Sequence, residues 1–379
     1  MGYDLAPVTV LISALAFLLL LSFLVLIHEC GHYFAARSAG VIVEEFGFGL
    51  PPRAKTLFHK GGTRFSLNWI PFGGFVRLQG ENASAERERR TPGSFAHASI
   101  PARVMILTAG VFMNLVCALI IFTAGFAFWH WIPTYVSLDS MKEAASYGEI
   151  TLAPGVHIAK VQPDGTAAKA KVPAPSILLS VDGTEVFVPS DVIDAQQGKQ
   201  KVTYVLRRAK EGTQTTEEIS LVVPVREGKT GVEIEFSPDI TSPRRSLPRA
   251  FVLSLREAKV TTVQTVIGIA QLFRSLAWHG SVPEGITGIV GIARLTHSSV
   301  QEGLLSYLRL MAVLSLSLAI LNILPFPSLD GGRLLFVVIE AIAHRPAPRR
   351  FELITNTVGF LVLILLIVLV TFNDIWNLF

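Results

Sequence analysis

Four stretches of the chain are apolar for long enough to dictate everything else. Leu5 to Ile27, Val104 to Trp131 and Val358 to Phe372 with its flanks are almost unbroken, and Tyr307 to Leu324 is interrupted only by Arg309 and small polar residues. A helix needs roughly 20 apolar residues to cross a bilayer, so the pattern predicts about four transmembrane helices. Thr63 to Trp69 then alternates between apolar and polar, and Pro71-Phe72-Gly73-Gly74 and Phe75-Val76-Arg77-Leu78 follow. That predicts a membrane-associated β-hairpin turning at the glycines. From Ala153 to Val225 the pattern changes to short strands: Gly155 to Val161, Ile177 to Val181 closed by Asp182-Gly183, Lys201 to Arg207, and Glu218 to Val223, with a short helix over Asp191 to Gln197. This predicts an inserted α+β module of ordinary domain size. Phe251 to Leu276 has helical periodicity but carries Arg256, Glu257, Lys259 and Arg274. An amphipathic helix at the membrane surface is the expectation there, with a fifth span as the competing reading.

The expected fold is therefore a polytopic α-helical membrane protein, in four parts. Residues 1–132 form an N-terminal membrane core with the hairpin, 150–230 the inserted domain, 237–304 a linker with surface helices, and 305–379 a C-terminal membrane core. Ser237 to Pro248 reads as linker and Glu81 to Arg90 as a charged loop.

Composition agrees with this, at 50% hydrophobic and only 16% charged residues. The net charge of +4 would suit nucleic acid, but no basic stripe with interleaved aromatics exists, and no nucleic-acid partner is expected. Instead Lys and Arg crowd the connector after the first span (Arg37, Arg53, Lys55, Lys60, Arg64, Arg77, Arg87, Arg89, Arg90 and Arg103) and the one before the last (Arg333, Arg345, Arg349 and Arg350). By the positive-inside rule both connectors are cytoplasmic, which places the inserted domain and both termini on the opposite face. In a bacterium this means the inner (cytoplasmic) membrane, with those parts periplasmic or extracellular. No Lys or Arg precedes the first apolar run, so it is expected to be retained rather than cleaved as a signal. Cys30 and Cys117 both lie in apolar helical runs, where a thiol serves as a small hydrophobe, and no disulfide framework is implied.

The chemistry-bearing motif is His28-Glu29-Cys30-Gly31-His32, an HExxH at the end of the first apolar run. Four residues apart on a helix, both imidazoles project from one face and reach one ion, while Glu29 sits where it can take a proton from water. Ionisable groups at bilayer depth are costly and point to function. A hydrolytic zinc site needs three protein ligands and an open position. The remaining histidines fall in loops or on the opposite side, which leaves Asp330 as a candidate: two prolines, Pro325 and Pro327, break the helix before it, on the same side as His32. Asp-Gly after a helix is also an ordinary turn signal, so the alternative of a purely structural Asp330 stands.

Four features in this order, His28 to His32, the segment Pro-Phe-Gly-Gly-Phe-Val-Arg-Leu from Pro71, Gly110-x-x-x-Asn114, and Asn322 through Leu329-Asp330-Gly331-Gly332, resemble the site-2 protease family in its bacterial PDZ-containing branch. The resemblance implies Zn2+ held by His28, His32 and Asp330, and Glu29 as catalytic acid and base. It further implies Asn322 on substrate or oxyanion, and Gly110 and Asn114 packed near the site. The inserted module resembles a PDZ domain through Ile177 to Gly183, though Pro175-Ser176 replaces the usual Gly-Asp, and Val290 replaces a proline in another family segment. The implied function is intramembrane proteolysis of single-span membrane proteins, such as an anti-sigma factor trimmed beforehand by a site-1-type protease, or a remnant signal peptide. An unwound substrate would pair as an added strand with the hairpin, at Gly73, Gly74 and Phe75. The rivals are a catalytically silent PDZ-containing adaptor, which should lack Glu29 or a ligand, and a metal transporter, whose polar residues should recur across several spans.

Overall fold

The computed structural model describes residues 7–81, 91–209, 216–236, 239–283, 285–345 and 347–376. The charged loop expected from Glu81 to Arg90 therefore lies, beyond Glu81 itself, outside the described residues, as do Arg87, Arg89 and Arg90. In chain order, helix α1 (Pro7–Ser38) precedes strands β1 (Val43–Lys60) and β2 (Thr63–Leu78) and helix α2 (Ile100–Phe128). The middle holds α3 (Leu138–Ser146), β3 (Thr151–Ala153), β4 (Val156–Val161), α4 (Thr166–Lys169), β5 (Ser176–Val181), β6 (Thr184–Glu185) and α5 (Pro189–Gln196). It continues through β7 (Lys201–Ala209), β8 (Thr216–Pro224), β9 (Val232–Glu235) and β10 (Asp239–Thr241). Five helices end the chain: α6 (Leu247–His279), α7 (Ile289–Glu302), α8 (Leu304–Ile323), α9 (Asp330–Ala343) and α10 (Arg349–Trp376). These fall into two compact units, Met1–Gly125 with Ser246–Phe379, and Phe126–Arg245.

In the first unit, four helices among the described residues are long and apolar enough to cross a membrane: Val8–Ser38, Ile100–Phe128, Leu304–Ile323 and Arg350–Trp376. Helix α6 is not one of them, despite its length, because its charged residues break the apolar run. Helix α1 does not stop at the HExxH motif but runs on to Ser38. Its 31 candidate spanning residues reach about 46 Å at 1.5 Å per residue, well beyond a hydrocarbon core of about 30 Å, so its last turns emerge from the lipid.

The hairpin differs from its expectation. Its turn is Gly61-Gly62, and Gly73-Gly74 lies inside one long strand. The runs Thr63 to Trp69 and Phe75 to Leu78 do not pair with each other. Both pair with β1: Phe46 faces Phe65 on one side and Val76 on the other, and Phe48 faces Leu67 and Gly74. The expectation failed because Gly73-Gly74 answers to close packing rather than to a turn. A Cβ on Gly74 would lie 2.8 Å from the Gly47 carbonyl oxygen and 3.2 Å from Leu26 on α1. One face of this sheet is fixed to α1 by an aromatic cluster in which Tyr33 meets Phe46 at 5.6 Å and Phe65 at 5.9 Å, contacts of about 0.5–1.5 kcal/mol each beyond their buried area.

Helix α8 ends at Ile323, and the chain doubles back through Pro325 and Pro327 to start α9 at Asp330. A side chain at position 331 would meet the carbonyl oxygens of Ile323 and Leu324 at 2.4 and 2.1 Å, so only glycine permits this fold-back. Ser328 holds the loop to α10, its hydroxyl donating to the Asn356 carbonyl at 2.6 Å.

The second unit is built on a sheet of order β8-β7-β5-β4-β9, with β6 paired to β5, around a core that includes Val156, Ile158, Leu178, Val181, Tyr204 and Leu206. The strands expected between Gly155 and Val223 and the helix near Asp191 form there. The unit also extends past 150–230 at both ends. Asp239–Thr241, expected as linker, pairs with Thr151–Ala153.

Candidate metal centre

Three chain segments distant in sequence meet where α1, α2 and the start of α9 come together. His28 and His32 lie one turn apart on α1, with Nε2 atoms 3.1 Å from each other. Asp330 Oδ2, the first residue of α9, lies 2.8 Å from His28 Nε2 and 3.2 Å from His32 Nε2. Among the described residues this trio is the one cluster of His, Cys, Asp and Glu atoms gathered closely enough to hold a metal ion. Asp330 opens a helix, and its carboxylate points at the histidines.

Close helix packing makes the meeting possible. A Cβ on Gly31 would lie 2.3 Å from the Ala109 carbonyl oxygen of α2, and one on Gly110 would lie 2.5 Å from His32 Nε2 and 2.7 Å from His28 Cε1. Small residues let membrane helices approach backbone to backbone. Here they leave a cradle that a single methyl group would fill.

The far side of each imidazole is also anchored. His32 Nδ1 donates to the Ile106 carbonyl at 2.8 Å, which leaves the Nε2 lone pair directed at the cluster. His28 Nδ1 lies 3.4 Å from the Asn114 side-chain nitrogen, while the Asn114 amide oxygen is buried without a partner. Amide orientation is an assignment, and turning it by half a revolution brings the orphaned oxygen to His28 Nδ1–H. That contact sets the same tautomer as in His32, with both Nε2 atoms free to ligate. Asp330 Oδ2 then faces the two Nε2 lone pairs at 2.8 and 3.2 Å, so three electron-pair donors point at one spot. Two lone-pair nitrogens and a carboxylate with His28 and His32 only 6% and 8% exposed are an expensive set to bury without a cation between them. This donor set, with a fourth position open, fits zinc.

The residues open onto a cavity of about 350 Å³ that Glu29, Phe75, Val76, Asn322 and Arg333 also line. Glu29 lies beside the histidines and accepts a hydrogen bond from the Val76 backbone N–H of β2. Phe75 and Asn322 are thus brought to the site. Gly73 and Gly74 pack along α1 at Val25 and Leu26 without lining the cavity. Sequence reasoning missed Arg333, Glu81 and Val76. Arg333 follows Asp330 by three positions and so shares its helix face, and it pairs with Glu81 at the end of β2. Arg103 makes a bidentate pair with Glu340 at 2.9 and 2.7 Å, tying α2 to α9. The helical period of α9 was the missing signal, hidden by the prolines before it.

The model of peptidase family M50 matches residues 16–366. Among curated relatives, a Clostridium perfringens protein named as a zinc metalloprotease is 29% identical over 359 residues, 94% of this chain and 97% of its own. One from Agrobacterium fabrum is 28% identical, covering 96% and 95% of the two chains, and one from Nostoc is 27% identical, covering 90% and 89%. Both carry the same description.

Proposed function

The chain belongs to peptidase family M50, the site-2 proteases, and is a multi-pass membrane zinc metalloprotease; from that premise we propose that it hydrolyses a peptide bond in or beside the membrane-spanning segment of single-span proteins, with His28, His32 and Asp330 holding zinc and Glu29 as acid and base. The observation that carries this reading is the convergence of Asp330 on His28 and His32 beside Glu29, in one cavity bordered by an edge strand.

Bound zinc supplies Lewis acidity, polarising a carbonyl and acidifying water. The chain's own groups do the rest. His28 and His32 are locked in one tautomer by Ile106 and Asn114. The Glu29 carboxylate takes a proton from water and returns it to the leaving nitrogen, while the Val76 N–H fixes its orientation. A helical substrate hides its carbonyls in its own hydrogen bonds, so it must unwind first. The outer edge of β2 at Phe75 and Val76 supplies strand partners beside the cavity, and Asn322 supplies an amide for the substrate backbone. The silent-adaptor alternative lacks support, since Glu29 and all three ligand residues are present and gathered.

The sheet of the second unit supports a PDZ-like reading. A cavity of about 680 Å³ lies between α5 and β9, where Val192, Ile193, Val232 and Ile234 offer an apolar floor for a chain end. On charge placement, the α1 end carrying the motif faces the cytoplasm of a bacterial inner membrane, and the second unit faces outward.

The test is Glu29→Gln in the purified full-length protein. Zinc content should match the parent while cleavage of a single-span substrate falls ~10²–10⁴-fold, the range for lost general acid–base catalysis. Turnover at the parental rate would remove this mechanism.

A further inference from the structure

The sheet of β1 and β2 has a second face, away from α1, and an unusual charge arrangement lies on it. Glu45 is buried, at 2% exposure, and three guanidinium groups converge on its carboxylate. Arg53 binds it through Nε at 2.9 Å and Nη2 at 2.7 Å, and the Ser66 hydroxyl donates at 2.7 Å. Arg77 and Arg64 approach no closer than 3.6 and 3.8 Å, beyond hydrogen-bonding reach. Burial alone would raise the Glu45 carboxyl, but Arg53, Ser66 and Arg77 hold it below its ordinary range, so it is charged. One carboxylate shared by three arginines leaves a surplus of two positive charges. The Arg53, Arg64 and Arg77 side chains are 38%, 40% and 53% exposed, so donors remain open on the outer side.

The position of this face relative to the lipid follows from contacts with α1. At one end of the sheet, the Gly61 carbonyl accepts from Arg37, in the last turn of α1. At the other, the Pro71 carbonyl accepts from Ser22, fifteen residues back along the same helix, about 22 Å at 1.5 Å per residue. The sheet thus runs from the membrane surface towards mid-span. Its deep end is dressed for hydrocarbon, with Trp69, Ile70 and Phe72 exposed. Arg64 sits towards the Arg37 end and Arg53 further in, opposite Asn68, but their guanidinium groups meet Arg77 at Glu45, where long side chains reach phosphate level.

We infer that Arg53, Arg64 and Arg77 form a binding site for the phosphate of an anionic phospholipid headgroup, with Glu45 as the internal counter-charge that fixes the guanidinium groups in place. Guanidinium forks bind phosphate oxygens bidentately, and a lysine cluster would not reproduce the geometry. The occupant is a lipid rather than a soluble phosphate because the same two strands that carry the arginines also carry the exposed apolar side chains at bilayer depth. Arg77 adjoins Val76, which lines the metal cavity, so the bound headgroup seats the strand beside the site.

Native mass spectrometry of the full-length protein from nanodiscs tests this. In discs of equal phosphatidylglycerol and phosphatidylcholine, the parent should retain phosphatidylglycerol at least fivefold over phosphatidylcholine. R64Q/R77Q should lose that selectivity, and R64K/R77K should keep an intermediate part of it. Equal retention of the two lipids by the parent overturns the proposal with no variant needed. So does unchanged selectivity in a folded R64Q/R77Q, and so does displacement of the lipid by millimolar inorganic phosphate, which would mark a soluble-anion site.

Discussion

At the scale of single residues, the site depends on which atoms can face a dication, and Asp330 and Asn114 separate charge from orientation. Asp330→Ala should lose most of the bound zinc. Asp330→Asn should lose less metal yet remain inactive, because an amide oxygen coordinates but brings no charge to a low-dielectric cluster. Metal analysis and cleavage assays on both variants check this, and a zinc-replete, active Asp330→Asn would remove Asp330 from the ligand set. The Asn114 side chain meets His28 at its far nitrogen, while the Asn114 backbone carbonyl accepts from Ser315. Asn114→Leu should keep the fold but weaken zinc binding by ~10–100-fold, the usual effect of losing an outer partner of a metal-bound histidine. Competition against a chelator reads it, and Asn114→Asp, which keeps an acceptor for His28 Nδ1–H, should recover part of the loss. His28, Glu29 and His32 were legible because the helical period alone places them together. Asp330 was legible only as a candidate, since 298 residues separate it from His32 and nothing local says where its carboxylate points. Asn114 was visible as a motif position, but its role rests on a buried, unpaired oxygen that no sequence pattern reveals.

At the scale of elements, the spans and most strands of the inserted module were legible because their patterns are long or strictly alternating. The hairpin was not. Two glycines signal a turn in a sequence, yet Gly73 and Gly74 are there so that β2 can lie against α1, a tertiary demand that overrides local turn chemistry. Helix α9 was missed for a related reason: it follows two prolines and opens on Asp-Gly-Gly, all turn signals. Its placement depends on charge pairs to other elements, and the Arg333 pair with Glu81 joins it to the end of β2 across the metal cavity. If this pair sets the spacing between the edge strand and Asp330, Glu81→Arg and Arg333→Glu should each reduce kcat/KM about tenfold or more, roughly 1.4 kcal/mol or above. The double exchange should restore most of it while zinc content stays constant. Single losses without recovery in the double variant would mean that Arg333 acts on substrate directly rather than through Glu81.

At the scale of the whole molecule, the division of the chain into a helical membrane part and an inserted module was legible in the sequence, because hydropathy changes sharply between them. The module's true extent escaped notice: β3 and β10 are three residues each, and a strand that short has no readable pattern. The proposed site residues His28, Glu29, His32, Asn322 and Asp330 all lie in the first unit, so on that proposal no ligand or proton-transfer group comes from the described residues of the second unit, Phe126–Arg245. The proposal then gives it a part in which substrates are admitted, either by holding a trimmed chain end along the apolar floor between α5 and β9 or by excluding bulky outer domains through size. The two modes give different results. Replacing residues 150–235 with a short flexible linker should leave zinc content and cleavage of short single-span substrates near the parental level, and should admit substrates whose outer domains the parent rejects. Substituting Ile193→Lys on the cavity floor, with the module intact, should weaken cleavage of trimmed substrates only if a chain end is held there. A cleavage assay on one substrate, presented with and without a folded outer domain, distinguishes these cases. A replacement variant that retains zinc, cleaves the short form and still rejects the long one would show that selection lies elsewhere, in the edge strand or the cavity itself.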